Sequence, residues 1–320
     1  LVPDGTIAKM GELGLFGEDR HRPRPGQVRQ EEGDAVDDGR ELWRFNTIPG
    51  PGEPGFETWE DPAQQAWKVG GGSVWMQPNY DADTGILYVG TGNGGVLALS
   101  QRSGELEWAF AEMEKGVWAR PVYVNGVLYV ASLDKNLYAL DAGTGEELWR
   151  QDLAGAVAGA PVYVDGVLYI GSFAHKIYKL DADDGTILAE FETANWVWGS
   201  PAFANGIVYA GDLDGFVYAL DADDLSPLWQ RQVAQEAIRA APLVVEDTLF
   251  IGSRDDRLYA VNAQNGTPVW NQMVGGDVLS DLLWLEDESL IVVSTLAERQ
   301  LVAYNLDGQE SWHYPPVASE

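Results

Sequence analysis

Gly90-Thr91-Gly92-Asn93-Gly94-Gly95 matches G-x-G-x-x-G by letters. A dinucleotide site of that form needs a helix after the glycines, because the helix N-terminus holds the pyrophosphate. Here a strand-like run, Val96-Leu97-Ala98-Leu99, follows, so the glycines read as a tight strand-to-strand turn. Turns such as Asp181-Ala182-Asp183-Asp184-Gly185 begin like a calcium loop but lack the distant bidentate glutamate. They recur at one place in successive segments, and Asp side chains bonding nearby backbone N–H groups account for them. His21, His175 and His313 are scattered and show no metal-ligand spacing. Asn265-Gly266-Thr267 fits a glycosylation acceptor but falls in one of the same turns. The absence of cysteine excludes thiolate ligands, cysteine nucleophiles and disulfides within these residues. No serine, histidine and acid arrangement can be argued.

The elements that position these residues come from an internal repeat. PVYVNGVLYVASLDKNLYALDAGTGEELW (121–149) is followed by related segments at 161–189, 201–229 and 242–270. Trp108, Trp149, Ala189, Trp229, Trp270 and Trp312 close successive units at spacings of 40 to 42 residues. Asn125-Gly126, Asp165-Gly166 and Asn205-Gly206 accept the positive φ values of two-residue hairpin turns. A third strand of LYAL type, expected to alternate outward and inward, leads into a D-A-x-x-G turn and a fourth strand ending in tryptophan. Four short antiparallel strands per ~40-residue period make a propeller blade. Apolar spacing of three to four, which helical repeats require, is absent. The fold expected is therefore an all-β propeller of four-stranded antiparallel blades. Six clear blades lie between about residues 73 and 313, with an incomplete N-terminal one, giving seven or eight if the ring closes. The recurring tryptophan is expected to fill the wedge between sheets, and Ala189 to leave a thinner joint.

Residues 1–40 read as an irregular or degenerate segment, highly charged over 18–40, and 41–320 as the propeller. Glu41–Asn46 (ELWRFN) resembles the last strand of an earlier blade, and 47–72 is a Pro- and Gly-rich insertion. No charged-then-apolar leader opens the chain, as in a mature form or a fragment. Nor does any stretch approach the ~20 apolar residues of a membrane span. The formal net charge of −30 repels phosphate backbones, so no nucleic-acid partner is expected.

The repeat also makes a positional prediction. The innermost strand of each blade lines the axis, so residues three before the blade-opening position should form a ring. These are Trp75, Trp118, Ala158, Trp198, Arg239 and Leu279. One before that position lie Gln77, Arg120, Ala160, Ser200, Ala241 and Asp281. Trp75, Trp118 and Trp198 with Arg120 and Arg239 have the chemistry to hold a flat anionic ligand by stacking and charge. The rings can instead plug the channel and pack against the 47–72 insertion, as aromatic residues at such sites more often do.

The run Ala139, Asp141, Thr144, Gly145, Trp149 spells A-x-D-x-x-T-G-x-x-x-W, which resembles the tryptophan-docking motif of PQQ-like (quinoprotein) propellers. The resemblance covers about residues 34–313 and has two branches. Residues 41–93, with GGGSVW and GTGN, resemble pyrroloquinoline quinone (PQQ)-dependent alcohol dehydrogenases, which are periplasmic and use PQQ with calcium. By that similarity Trp75 stacks under PQQ, Ser73 hydrogen-bonds it and Asn93 is a calcium ligand. Gly11-Glu12-Leu13-Gly14 resembles the segment carrying the calcium-binding glutamate, which assigns Glu12 to the metal. Residues 96–313 resemble the second branch, non-enzymatic repeat proteins that include the propeller lipoprotein of the outer-membrane barrel-assembly machinery.

The departures from the enzyme pattern bear on catalysis. Val117-Trp118-Ala119-Arg120 puts Ala119 where the dehydrogenases carry their catalytic aspartate, and alanine cannot abstract a proton. The adjacent-cysteine disulfide is absent, and Lys135-Asn136 is the only match to the cation-presenting Lys-Asn-Gly stretch. Two functions stay open. One is a non-catalytic, extracytoplasmic (periplasmic or secreted) bacterial binding or scaffold module, with a protein partner or small anionic ligand at the channel mouth. The alternative is a PQQ- and calcium-dependent alcohol dehydrogenase, or a decayed relative that still binds the quinone.

Overall fold

The computed structural model describes residues 30–34, 41–46 and 78–315, and among these every regular element is a β-strand. Six four-stranded antiparallel sheets follow one another along the chain, the blades of a β-propeller. Blade 1 comprises Asn79–Asp81, Ile86–Thr91, Gly95–Ser100 and Leu106–Phe110. Blade 2 comprises Val122–Val124, Val127–Ala131, Asn136–Asp141 and Glu147–Asp152. Blade 3 comprises Val162–Val164, Val167–Ser172, Lys176–Asp181 and Ile187–Glu192. Blade 4 comprises Ala202–Ala204, Ile207–Gly211, Phe216–Asp221 and Pro227–Gln232. Blade 5 comprises Leu243–Val245, Thr248–Gly252, Arg257–Asn262 and Pro268–Met273. Blade 6 comprises Leu283–Leu285, Leu290–Ser294, Leu301–Asn305 and Glu310–Tyr314. Upstream, Gln30–Asp34 pairs antiparallel with Glu41–Asn46. A strand therefore lies within the segment read from sequence as irregular, because backbone pairing needs no side-chain alternation.

The chain divides into two compact units. One takes Leu1–Val127 with Asp141–Glu146 and holds blade 1. The other takes Leu128–Leu140 with Glu147–Glu320 and holds blades 3 to 6, blade 2 being shared.

Local chemistry sets each turn. Asn125 and Gly126 have φ of 49° and 85°, and Asp165 and Gly166 of 46° and 83°, the doubly positive pair of the predicted hairpin turn. In the D-A-x-x-G turn of blade 2, one Asp141 carboxylate oxygen accepts from the Thr144 N–H at 2.8 Å and from the Thr144 hydroxyl at 3.0 Å. The third strands do not alternate as expected. In blade 2, Leu137 to Leu140 are all buried, and in blade 4 so are Val217 to Leu220. Strands covered on both faces read as continuous apolar runs. Alternation belongs instead to the fourth strand, as in Glu147–Asp152. There the ladder skips one residue before the tryptophan, Leu148 in blade 2 and Leu228 in blade 4. Such bulged residues turn outward, which explains why both are about half exposed.

The tryptophan before each joint reaches the turn of the next blade. Within the larger unit, Trp149 Nε1 donates to Ala182 O at 3.1 Å, Trp229 to Ala263 O at 2.9 Å and Trp270 to Leu306 O at 2.8 Å. Within the smaller unit, Trp108 donates to Ala142 O at 2.9 Å. The same alanine carbonyls accept the hydroxyls of Tyr88, Tyr129 and Tyr209. Burial first, and then nearby aspartates and tyrosines, pushes the Tyr88 and Tyr129 hydroxyls up to about 12, so they stay protonated donors. Each ring lies against the turn glycine. A Cβ on Gly185 would sit 2.6 Å from the Trp149 ring.

Ala189 is the exception, and its joint is not thin. The turn it faces carries Leu225 at φ +60° where the others carry glycine. Leu225 is 2% exposed and fills the wedge in one cluster with Ala189, Phe191 and Tyr169.

Candidate functional site

The most distinctive surface lies in the larger unit, where loops leading into the first strands of blades 4 to 6 meet hairpins of blades 3 to 5. In Trp196-Val197-Trp198 the central Val197 is fully buried against the backbone of Gly171, so both tryptophans turn away from the core. Trp196 is 42% exposed. Its ring stacks on Phe173 with centroids 4.8 Å apart and planes within 6°. On Phe173 also rests Trp198, at 5.1 Å and tilted by 32°. Over the Trp198 ring stands the Arg239 guanidinium, its Cζ 4.3 Å from the centroid. Beyond it, Arg254 Nε donates to Asp277 Oδ2 at 2.8 Å. The result is a ladder of three rings and a cation on one rim.

One buried carboxylate fixes the loop that carries the tryptophans. Asp212 stands where other blades have Ser132, Ser172, Ser253 and Thr295, and it is fully buried. Its Oδ2 accepts the Tyr218 hydroxyl at 2.7 Å and the Asn195 N–H at 3.1 Å. Its Oδ1 accepts the Asp214 and Phe216 N–H groups at 2.9 and 3.0 Å. Burial and then the Asp212 partner raise the Tyr218 hydroxyl well above the usual tyrosine range, so it remains a donor. Tyr218 in turn accepts the Ala194 N–H at 2.8 Å. Asn195 Oδ1 caps the Trp196 N–H at 2.7 Å. A loop satisfied at successive amides is rigid, and the rings are pre-positioned.

Arg239 is the electrostatic oddity. Its Nε is buried with no hydrogen-bond acceptor. Burial first, and then the Arg254 charge, depress its pKa, while Asp277 opposes them. Arg150, Arg254 and Arg299, by contrast, each pair with a carboxylate.

Of the residues singled out in the sequence, the structure brings Trp198 and Arg239 together. Trp118 and Arg120 belong to the other unit, both exposed, flanking a buried Ala119. Ser73, Trp75 and Glu12 lie outside the described residues. Asn93 is exposed in the turn between two strands of blade 1, the strand-to-strand geometry expected of the glycine run. Ser200 and Asp281 hold backbone: the Ser200 hydroxyl accepts the Ala160 N–H at 2.9 Å, and Asp281 accepts the Ala241 N–H at 2.7 Å. Sequence reasoning missed Phe173, Trp196, Asp212 and Arg254. Aligning the repeats at the second hairpin, S-L, S-F, D-L, S-R, isolates three of them.

Ala119, at the place of the catalytic base, is 1% exposed and offers no acceptor. Among the described residues no group of three or more His, Cys, Asp or Glu side chains is placed to hold a metal.

The chain is 31% identical over 112 residues to quinohemoprotein alcohol dehydrogenase ADH IIB of Pseudomonas putida, a match covering 26% of this chain and 16% of that protein. It is 27% identical over 152 residues to the dehydrogenase subunit of a quinone alcohol dehydrogenase of Gluconacetobacter polyoxogenes, covering 34% and 21%. The matches thus span about a fifth or less of those relatives' length. The crystal structure of BamB from Moraxella catarrhalis superposes with a TM-score of 0.66 at 17% identity, over 86% of this chain and 77% of that one, which establishes the fold. The family model PQQ_2, described as outer membrane protein assembly factor BamB, matches residues 32–156, 133–242 and 234–319, and the chain belongs to that PQQ-like repeat family.

Proposed function

We propose that the chain is a non-catalytic PQQ-like propeller that works as an extracytoplasmic, periplasmic or secreted, bacterial scaffold and docks a protein partner on its loop rim. The observation that carries this reading is the rigid Phe173–Trp196–Trp198–Arg239 ladder, an exposed aromatic and cationic patch on an otherwise acidic chain. Aromatic and arginine anchors are the side chains that dominate protein interfaces. Membership of a family described by an assembly factor, and Ala119 at the place of the base, favour the same reading. Among the described residues no helix is long and apolar enough to cross a membrane. The test is a photo-crosslinking residue at Trp196, with Leu228 on an outer strand as control, in cells that express the full chain natively. A discrete envelope-fraction adduct from position 196 and none from 228 is expected. The absence of an adduct at 196 overturns the reading.

The local identity to quinohemoprotein alcohol dehydrogenases favours a second reading, in which the chain retains PQQ and calcium at Ser73, Trp75, Asn93 and Glu12. Tryptophan fluorescence titrated with PQQ, with and without calcium, separates the two. The scaffold reading expects no saturable quenching. Calcium-dependent saturation lost in Trp75→Ala establishes the quinone site.

A further inference from the structure

We infer that the rim ladder captures an acidic residue of the partner, flanked by an apolar or aromatic one in a short extended segment; this rests on the scaffold reading. Arg239 is held with its face on Trp198, which leaves the N–H edge of a planar fork to find acceptors. Its Nε is turned inward and buried without an acceptor, so the outer Nη edge is the one left to meet a ligand, in a guanidinium already partly desolvated. Asp277, whose charge acts on Arg239, is already engaged by Arg254 at 2.8 Å. Carboxylates are not scarce, since the chain has 50 Asp and Glu against 20 Lys and Arg. The group that matches a fork with free donors is a carboxylate.

Beside that fork lie three rings in sequence, at centroid spacings of 4.8 and 5.1 Å, with Trp196 outermost and 42% exposed. Their length matches on the order of three residues of extended chain. One small anion would occupy the Arg239 end and leave the rings bare, whereas a peptide segment covers both. Asp212 and Asn195 hold the ladder before binding, so little ordering remains to be done. The surrounding negative charge gives the site its specificity. A carboxylate is repelled over most of this surface and accommodated here, which fixes the register of the docked segment.

The experiment is selection of displayed random twelve-residue peptides on the full chain, repeated on Arg239→Gln, Arg239→Lys, Trp196→Ala and, as a surface control, Arg102→Gln. Expected is enrichment of Asp or Glu within two positions of an apolar or aromatic residue. Capture should fall about tenfold in Arg239→Gln, fall partly in Arg239→Lys, which keeps charge but not the fork, and stay unchanged in Arg102→Gln. In Trp196→Ala, whose side chain is outside the core, the acidic preference should persist while the aromatic one fades. Enrichment without acids, equal capture by Arg239→Gln, or no enrichment overturns the inference. If the Trp196 crosslink succeeds in that case, the scaffold reading survives alone.

Discussion

Two joints in the larger unit solve one packing problem from opposite sides. Between blades 2 and 3 the fourth strand supplies a large ring, Trp149, and the next turn supplies Gly185 at φ +75°. Between blades 3 and 4 the strand supplies only Ala189, and the turn supplies Leu225 at φ +60°. A leucine in the left-handed region carries backbone strain that glycine does not. The strain is tolerated because the alternative is a void lined by Tyr169, Phe191 and Ala222. The polar pattern keeps the tyrosine and replaces the second donor. Ala182 O accepts from Trp149 and Tyr129, whereas the turn facing Ala189 is bound by Tyr169 at Ala222 O and by Lys179 at Asp223 O. What the fold preserves is the filled volume of the wedge, not the identity of the residue that fills it.

The comparison is broken most severely by Trp149→Ala, expected to cost about 3–4 kcal/mol as a large, partly buried ring is removed, read from the denaturation midpoint and from hydrogen exchange in blade 3. Gly185→Leu pushes a side chain into the ring and should cost about 3 kcal/mol by overpacking. The double variant Trp149→Ala/Gly185→Leu copies the Ala189–Leu225 joint. It should be more stable than either single variant, and a strictly additive loss would refute volume exchange. Leu225→Gly relieves a strained φ but opens a cavity, for a net loss of about 2 kcal/mol, and Ala189→Trp should rescue it. A smaller effect separates two tryptophan joints. Tyr209 shares the Ala263 carbonyl with Trp229, but blade 5 has Phe250 at that position. Tyr209→Phe should cost about 1 kcal/mol, and Phe250→Tyr no more than that. Smallest is a titration the two kinds of joint share. The hydroxyls and N–H groups of Thr186 and Ser226 hold Asp184 and Asp224 below the ordinary aspartate range. A carboxyl depressed on folding stabilises above its unfolded pKa and loses that contribution as pH falls through the folded one. Carboxyl NMR titration should find both depressed together. An ordinary value at Asp224 alone would show that Leu225 distorts its turn.

Much of the blade was legible because its signals are local. Asn-Gly pairs set hairpins, Asp141 sets its turn, and the tryptophan marks the fourth strand. The alternation expected of the third strand failed because burial on both faces is a property of neighbouring sheets, not of the strand. Leu225 escaped notice because its meaning depends on a residue 36 positions earlier in the chain. At the candidate site the repeat located Trp198 and Arg239 by position alone. Phe173 and Trp196 come from different loops, and only the fold stacks them. Asp212 looks like one acid among many, and burial with four donors is what distinguishes it.

The Ala189–Leu225 pair also constrains how such a chain can be rearranged. A blade that ends in tryptophan and a blade whose turn holds glycine are interchangeable cassettes, so duplication or exchange leaves their seams intact. Blade 3 ends in a blank and blade 4 carries the matching tooth in its last turn, which makes this seam keyed. Any recombination that separates the two halves creates either a clash or a hole, and blades 3 and 4 must be inherited as a single piece.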